Sequence, residues 1–238
     1  MGQFSNSMPV AISKLGENVE TSREPQNARA IEWLLQQPGG PITVVTPQKD
    51  VSSDVIKALL TRRGVTHLTW RGLSTRALAG RILFAWPDRK RLNDLWGLEA
   101  DALAVIEWSP QESKEWIEAN RPILLLHDRV VPYTRVEPEQ SPDEPLPNDI
   151  GKILENVALW AQGYSSGLKW DEEHKLKADM MNRPERWLSV SVEQVRDKCR
   201  ELGMRPNDVD TIAGFLQRRK DGHRFQVNSS YRSFYFNF

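Results

Sequence analysis

ALAVIEWSPQESKEWIEANRPILLL, residues 102–126, decides the fold. Two unbroken apolar runs, Leu103-Ala104-Val105-Ile106 and Ile123 to Leu126, flank a stretch of helical pattern from Glu112 to Ala119. A strand exposed on one face alternates apolar and polar side chains, so a strand that dispenses with alternation is covered on both faces. A helix between two such strands is a crossover connection and makes them parallel. The same rhythm runs upstream. Ile42 to Thr46 reads as a strand, Asp54 to Arg63 as a helix closed by Gly64, and Thr66 to Trp70 as a second strand. Ile82 to Trp86 follows as a third, then a short helix from Leu92 to Leu98 and a fourth strand from Ala102 to Trp108. A helix from Ala28 to Gln37, stopped by Pro38-Gly39-Gly40-Pro41, precedes them all. The expectation is a mostly parallel, Rossmann-like α/β domain over 25–131, led by a loose polar arm over 1–24.

Beyond the sheet the pattern changes. Residues 132–149 read as an extended, proline-rich acidic linker, with five prolines and four acids (Glu137, Glu139, Asp143, Glu144) between Pro132 and Pro147. Residues 150–238 form a mainly helical domain, with helices at Ile150 to Gln162, Trp170 to Asn182, Ser191 to Leu202 and Asp208 to Arg219. Ser191 and Gln194 have the spacing of a capping box, and Asn207 stands where the last helix would be capped. The alternating tail from His223 to Phe238 predicts a short β hairpin, which would complete a winged helix-turn-helix.

Thirty-two basic and thirty-two acidic residues cancel, so no global field draws the chain to nucleic acid or to an anionic membrane. The single cysteine, Cys199, excludes an internal disulfide and fits a reducing, cytoplasmic setting. No apolar run reaches the roughly 20 residues needed to span a bilayer. The chain contains no Gly-x-x-x-x-Gly-Lys-Ser/Thr phosphate loop, no Gly-x-Gly-x-x-Gly fingerprint and no Gly-x-Ser-x-Gly elbow. His67, His127, His174 and His223 stand singly, without metal-ligand spacing. These readings imply no cofactor, no catalytic set and no metal site.

Three candidate sites follow. Ligands of a parallel sheet bind beyond the carboxyl ends of its strands, where Lys49, Asp50, Trp70, Arg71, Asp88, Arg89, Glu107 and Trp108 fall. Aromatic faces there suit base stacking and the cations suit phosphate or carboxylate, although tryptophans that merely plug the sheet have the same pattern. From Arg183 to Phe238 eleven basic residues stand against seven acidic ones. Among them Arg205, Arg218, Arg219, Lys220 and Arg224 would neutralise phosphates of DNA or RNA. The terminal Phe234, Phe236 and Phe238 would either pack on their own domain or dock on a protein partner.

Read together, Val45-Thr46-Pro47-Gln48-Lys49-Asp50, His67 to Ser74, Ala85 to Lys90 and Ala104 to Trp108 resemble a group of uncharacterised actinobacterial proteins with a Rossmann-like domain. That resemblance spans roughly residues 40–126 and implies a bacterial protein without implying an activity. Val44 to Ser74 is also superficially similar to the second RecA-like domain of helicases, but lacks the Arg-rich final motif, so helicase activity is not implied. The function expected from the sequence is non-catalytic: a binding or accessory protein holding a nucleotide or partner at its strand ends, with a helical module contacting nucleic acid or protein. A metal-dependent enzyme acting on a nucleotide or phosphodiester through Asp50, Asp88, Glu107 and Asp128 is the alternative.

Overall fold

A computed structural model describes residues 8–16, 22–75, 78–134, 145–164 and 167–238. The chain divides into two compact units, Met1–Val136 and Glu137–Phe238. The boundary falls inside the expected linker, most of which (135–144) lies outside the described residues.

The first unit is an α/β unit built on a seven-stranded sheet: β1 (Val10–Ser13), β2 (Ile42–Thr46), β3 (Val65–Thr69), β4 (Arg81–Ala85), β5 (Ala102–Ile106), β6 (Ile123–Leu125) and β7 (Val130–Val131). The order is β3-β2-β4-β5-β1-β6-β7, and every pairing is parallel except that of β6 with β7. Helices α1 (Glu24–Gln36) and α2 (Asp54–Leu60) pack on one face, against Ala11, Val44, Leu83 and Ala104. Helices α3 (Arg89–Asp94) and α4 (Pro110–Asn120) cover the other, against Ile12, Val45, Phe84 and Val105. All five residues of β5 are buried, as its lack of alternation requires.

Residues 10–13 overturn the expectation of a loose arm. Val10-Ala11-Ile12-Ser13 inserts between β5 and β6, in register Ala11↔Ala104 and Ala11↔Ile123, with all four residues buried. Four residues carry too little pattern to announce a strand; this one gains its burial from the strands on either side, β5 and β6. α1 is the next element after β1 in the chain, which makes the β1 end the start of the first strand-to-helix crossover.

Gly80 shows how tightly the opposite edge is drawn. Its φ is +72°, and a Cβ there would fall inside the van der Waals shell of the Pro41 carbonyl oxygen, the same oxygen that accepts from Arg81 N at 3.0 Å.

The second unit holds α5 (Asn148–Gln162), α6 (Trp170–Asn182), α7 (Pro184–Leu188), α8 (Val192–Glu201) and α9 (Pro206–Lys220). Ile153, Leu154, Val157, Leu176, Trp187, Val195, Cys199, Ile212 and Leu216 form its core. The Ser191–Gln194 capping box opens α8 with both reciprocal bonds present. The last helix starts at Pro206, ahead of the expected Asn207 cap, and its N-cap Arg205 makes no side-chain cap bond.

The expected hairpin does not form: residues 223–238 contain no strand, only a 3₁₀ turn at Ser229–Tyr231. Side chains take the place of a partner strand. Asn182 Nδ2 donates to the carbonyls of Arg232 (2.9 Å) and Phe234 (2.8 Å), and Phe236 N donates to Asp179 Oδ1 (2.8 Å). The wing of a winged helix-turn-helix is therefore absent from the described residues.

Candidate ligand edge of the sheet

Outgoing connections decide where an open parallel sheet can hold a ligand, because a crevice opens where adjacent strands send their chains to opposite faces. β1 leads to α1 on one face, and its neighbour β5 leads to α4 on the other. The carboxyl ends of β1 and β5 therefore flank a switch point. Glu107, the first residue after β5, is 1 % exposed there.

Its carboxylate is fully engaged. Lys14 Nζ pairs with Oε1, the Ser113 hydroxyl donates to the same oxygen, and Leu15 N donates to Oε2 at 2.8 Å. Buried Gln26, in the first turn of α1, donates from Nε2 to the carbonyls of Ser13 (3.0 Å) and Glu107 (2.9 Å) and accepts nothing at Oε1. Ser13 Oγ returns a bond to Gln26 O at 2.8 Å. The β1 end, the β5 end, α1 and α4 are thus tied through one carboxylate and one amide. A buried carboxylate costs several kcal/mol of lost hydration unless such partners surround it.

Above this network stands Trp108, 50 % exposed, with the Arg23 guanidinium 4.5 Å from its ring centroid. Arg23 also donates to the carbonyls of Glu107 (3.2 Å) and Trp108 (3.1 Å). Burial lowers the Arg23 pKa, and the nearby Glu107 charge partly offsets that. The result is a cation and an aromatic ring fixed together at the rim.

The other strand-end tryptophans behave differently. Trp86 has φ +54°, sparsely populated for a bulky side chain, and its Nε1 is held by Asn27 Oδ1 at 3.2 Å. Trp70 is half-buried against the α3 and α4 face, with the Arg91 guanidinium 5.8 Å from its ring. These two plug the sheet, and Trp108 alone of the three is exposed.

Lys49, Asp50 and Arg71 are exposed at the ends of β2 and β3. Lys49 acts on His67, whose pKa is lowered first by burial and then by that lysine. Thr46 Oγ1 donates to Gln48 O (2.7 Å), so the His67 Nε2 that it meets at 2.7 Å must be the donor, leaving Nδ1 as the acceptor. Asp88 caps α3 by accepting from Arg91 N (2.8 Å), and Arg89 donates from its amide to Glu112 (2.8 Å) and from its guanidinium to Gln111 O (3.1 Å).

The four acids of the metal reading have separate places. Glu107 is buried in its own network, Asp88 is a helix cap, Asp50 is an exposed loop residue, and exposed Asp128 lies 4.0 Å from Arg129. Among the described residues no group of three or more His, Cys, Asp or Glu side chains is arranged to hold a metal ion.

In the helical unit three of the five expected phosphate contacts donate to carbonyls of that unit. Arg219 donates to Met180 O (3.3 Å) and His223 O (2.7 Å), Lys220 to Leu188 O (3.0 Å), and Arg205 to Tyr164 O (3.0 Å). Arg218 lies 5.3 Å from the Phe225 ring centroid, and Arg224 is exposed. Arg219 and Lys220 thereby tie the end of α9 to α6 and α7, and Arg205 ties its start to the chain after α5.

Phe236 is in the core and Phe234 packs against it at 5.0 Å, edge to face, which is the first of the two fates expected for the tail, packing on its own domain. Phe238 stacks on Phe236 at 5.9 Å and stays 54 % exposed.

Lys14, Arg23, Gln26 and Ser113 were missed by sequence reasoning. Their signal lay in β1: once Val10–Ser13 is a strand, the residues after it become strand-end residues like the rest. No family model matches the chain, and no curated protein or solved structure matches it significantly. Among the described residues no helix is long and apolar enough to cross a membrane.

Proposed function

We propose that this is a non-catalytic binding or accessory protein whose α/β unit takes an anionic ligand, of nucleotide type, at the carboxyl rim of its sheet. The observation that carries the reading is the state of Glu107. The acid at the switch point is taken up by Lys14, Leu15 and Ser113 and serves to hold the rim together, whereas the Arg23–Trp108 shelf faces outward. A ring fixed beside a guanidinium supports stacking of a flat base with its phosphate nearby. Lys49 and Arg71 add exposed positive charge at the same edge.

For the helical unit, a protein partner is the better supported contact. Its basic residues are engaged by its own carbonyls, while Leu159, Trp160 and Trp170 are each more than half exposed.

Titration of the full chain with adenosine triphosphate, followed by tryptophan fluorescence, tests the first reading. Trp108→Ala should weaken binding roughly tenfold if stacking contributes the ~1–3 kcal/mol usual for a base on an aromatic ring. Unchanged affinity in this variant, or no binding at millimolar nucleotide, would remove the proposal. Glu107→Gln separates a holding role from a chemical one: it should lower stability, and a turnover lost at intact binding and stability would instead mark an enzyme. Replacing Arg218, Arg219 and Lys220 together should leave the salt slope of any nucleic-acid binding unchanged.

A further inference from the structure

A pocket of about 450 Å³ is lined by residues of α4 and β6, among them Lys114, Ile117, Glu118 and Leu124, together with Lys14 and Tyr133. It is on the α4 side of the sheet and contains none of Trp108, Arg23, Lys49 or Arg71. We propose that it is a second binding site, for a small aromatic carboxylate.

Three observations support this. The pocket volume falls within the range of roughly 300–1,000 Å³ of small-molecule sites, and its walls combine an apolar floor with a few charged groups, as such sites do. Ile117 and Leu124 both belong to the apolar layer on that face of the sheet, with Tyr133 packed against the same layer, so one wall is an aromatic ring. The third is Lys14. A lysine ammonium has three donors, and among the described residues the acceptor it meets is Glu107 Oε1.

That pairing fixes Lys14 in place. Glu107 is itself held by Leu15 N and the Ser113 hydroxyl, and the Lys14 side chain is 25 % exposed. A flexible surface lysine loses rotamer freedom when it grips an anion; this one has lost it in folding, so two donors are presented with little further ordering. Lys114, exposed on the first turns of α4, adds a second positive charge at the same opening. Glu118 in the lining disfavours multiply charged anions, which favours a single carboxylate on a flat apolar body over a phosphate ester.

The test uses the full-length protein with 1-naphthoate and its uncharged partner 1-naphthalenemethanol, each titrated by calorimetry and by ¹H–¹⁵N NMR. Naphthoate should bind roughly tenfold to a hundredfold more tightly than the alcohol, the value of a charge-assisted bond. Lys114→Met should narrow that gap, and Leu124→Trp, which fills the floor, should abolish both. Trp108→Ala, outside the pocket, should leave naphthoate binding unchanged, so failure of the nucleotide reading and failure of this one are distinguishable. Lys14→Met leaves Glu107 without its cation and threatens the fold, so the conclusion rests on the other two variants. Equal affinity for the two probes, no naphthoate binding at millimolar concentration, or full binding by the Leu124→Trp protein would overturn the proposal.

Discussion

Each unit of this chain ties several of its elements through a buried carboxylate, Glu107 in one and Asp179 in the other, and the two are built differently. In the α/β unit Glu107 faces a lysine that lines a pocket. In the helical unit Asp179, wholly buried, accepts from Trp187 Nε1 at 2.6 Å and Phe236 N at 2.8 Å, with the Arg186 guanidinium 3.7 Å away. Asp179 joins α6 to α7 and to the end of the chain, and its partners are themselves core groups. Glu107 joins four elements and leaves a cation at the surface. The same chemical device fastens in one place and presents in the other.

The largest effect should come from Asp179→Ala. It orphans two buried donors and should cost about 4 kcal/mol by chemical denaturation, against about 2 kcal/mol for Glu107→Gln, whose amide keeps some of the bonds. Equal losses would show that the two carboxylates fasten alike. Next come two glycines of positive φ. Gly80→Ala drives a methyl into the Pro41 backbone, which cannot yield, and should cost about 3 kcal/mol, while Gly167→Ala meets the Asp208 carboxylate and should cost less. Thermal melts of both variants rank them. Ser191→Ala removes one half of the capping box of α8 and should cost about 1 kcal/mol.

The smallest effect is a pH dependence. Asp208 is buried and its pKa is raised from 3.8 chiefly by that burial, against the Leu168 amide bond and Arg205, which lower it. Its proton is therefore held more tightly in the folded unit. That contribution to stability is full below 3.8 and is lost as pH rises through the higher folded value. Asp208→Asn keeps a neutral side chain at every pH, so it should match the parent in acid and exceed it modestly at neutral pH. Denaturation curves at both ends check the sign.

Most of the sheet could be read from side-chain pattern. Ile42–Thr46 matches to the residue, and β3 to β6 differ from expectation only at their ends, because β-branched and apolar runs bounded by glycine and proline leave few alternatives. Trp170–Asn182 and the Ser191 box were equally legible. β1 was not, since its burial comes from neighbours distant in sequence, and with it the partner of Glu107 was hidden. α7, five residues that open at Pro184, is too short to show a period. The aromatic tail misled in the opposite direction: alternation of Phe234, Phe236 and Phe238 reads as a strand, yet its backbone partners are the side chains of Asn182, Asp179 and Arg186. Period two announces which side chains turn inward, and says nothing of what receives the amides.

Cys199, the one thiol of the chain, is completely buried in the core of the helical unit. A thiol-specific reagent can reach it only through an opening of that core, so the rate of labelling in native buffer is a clock for the unit's breathing. Any ligand or partner that steadies the helices should slow that clock, and one that acts on the sheet alone should leave it running at its original pace.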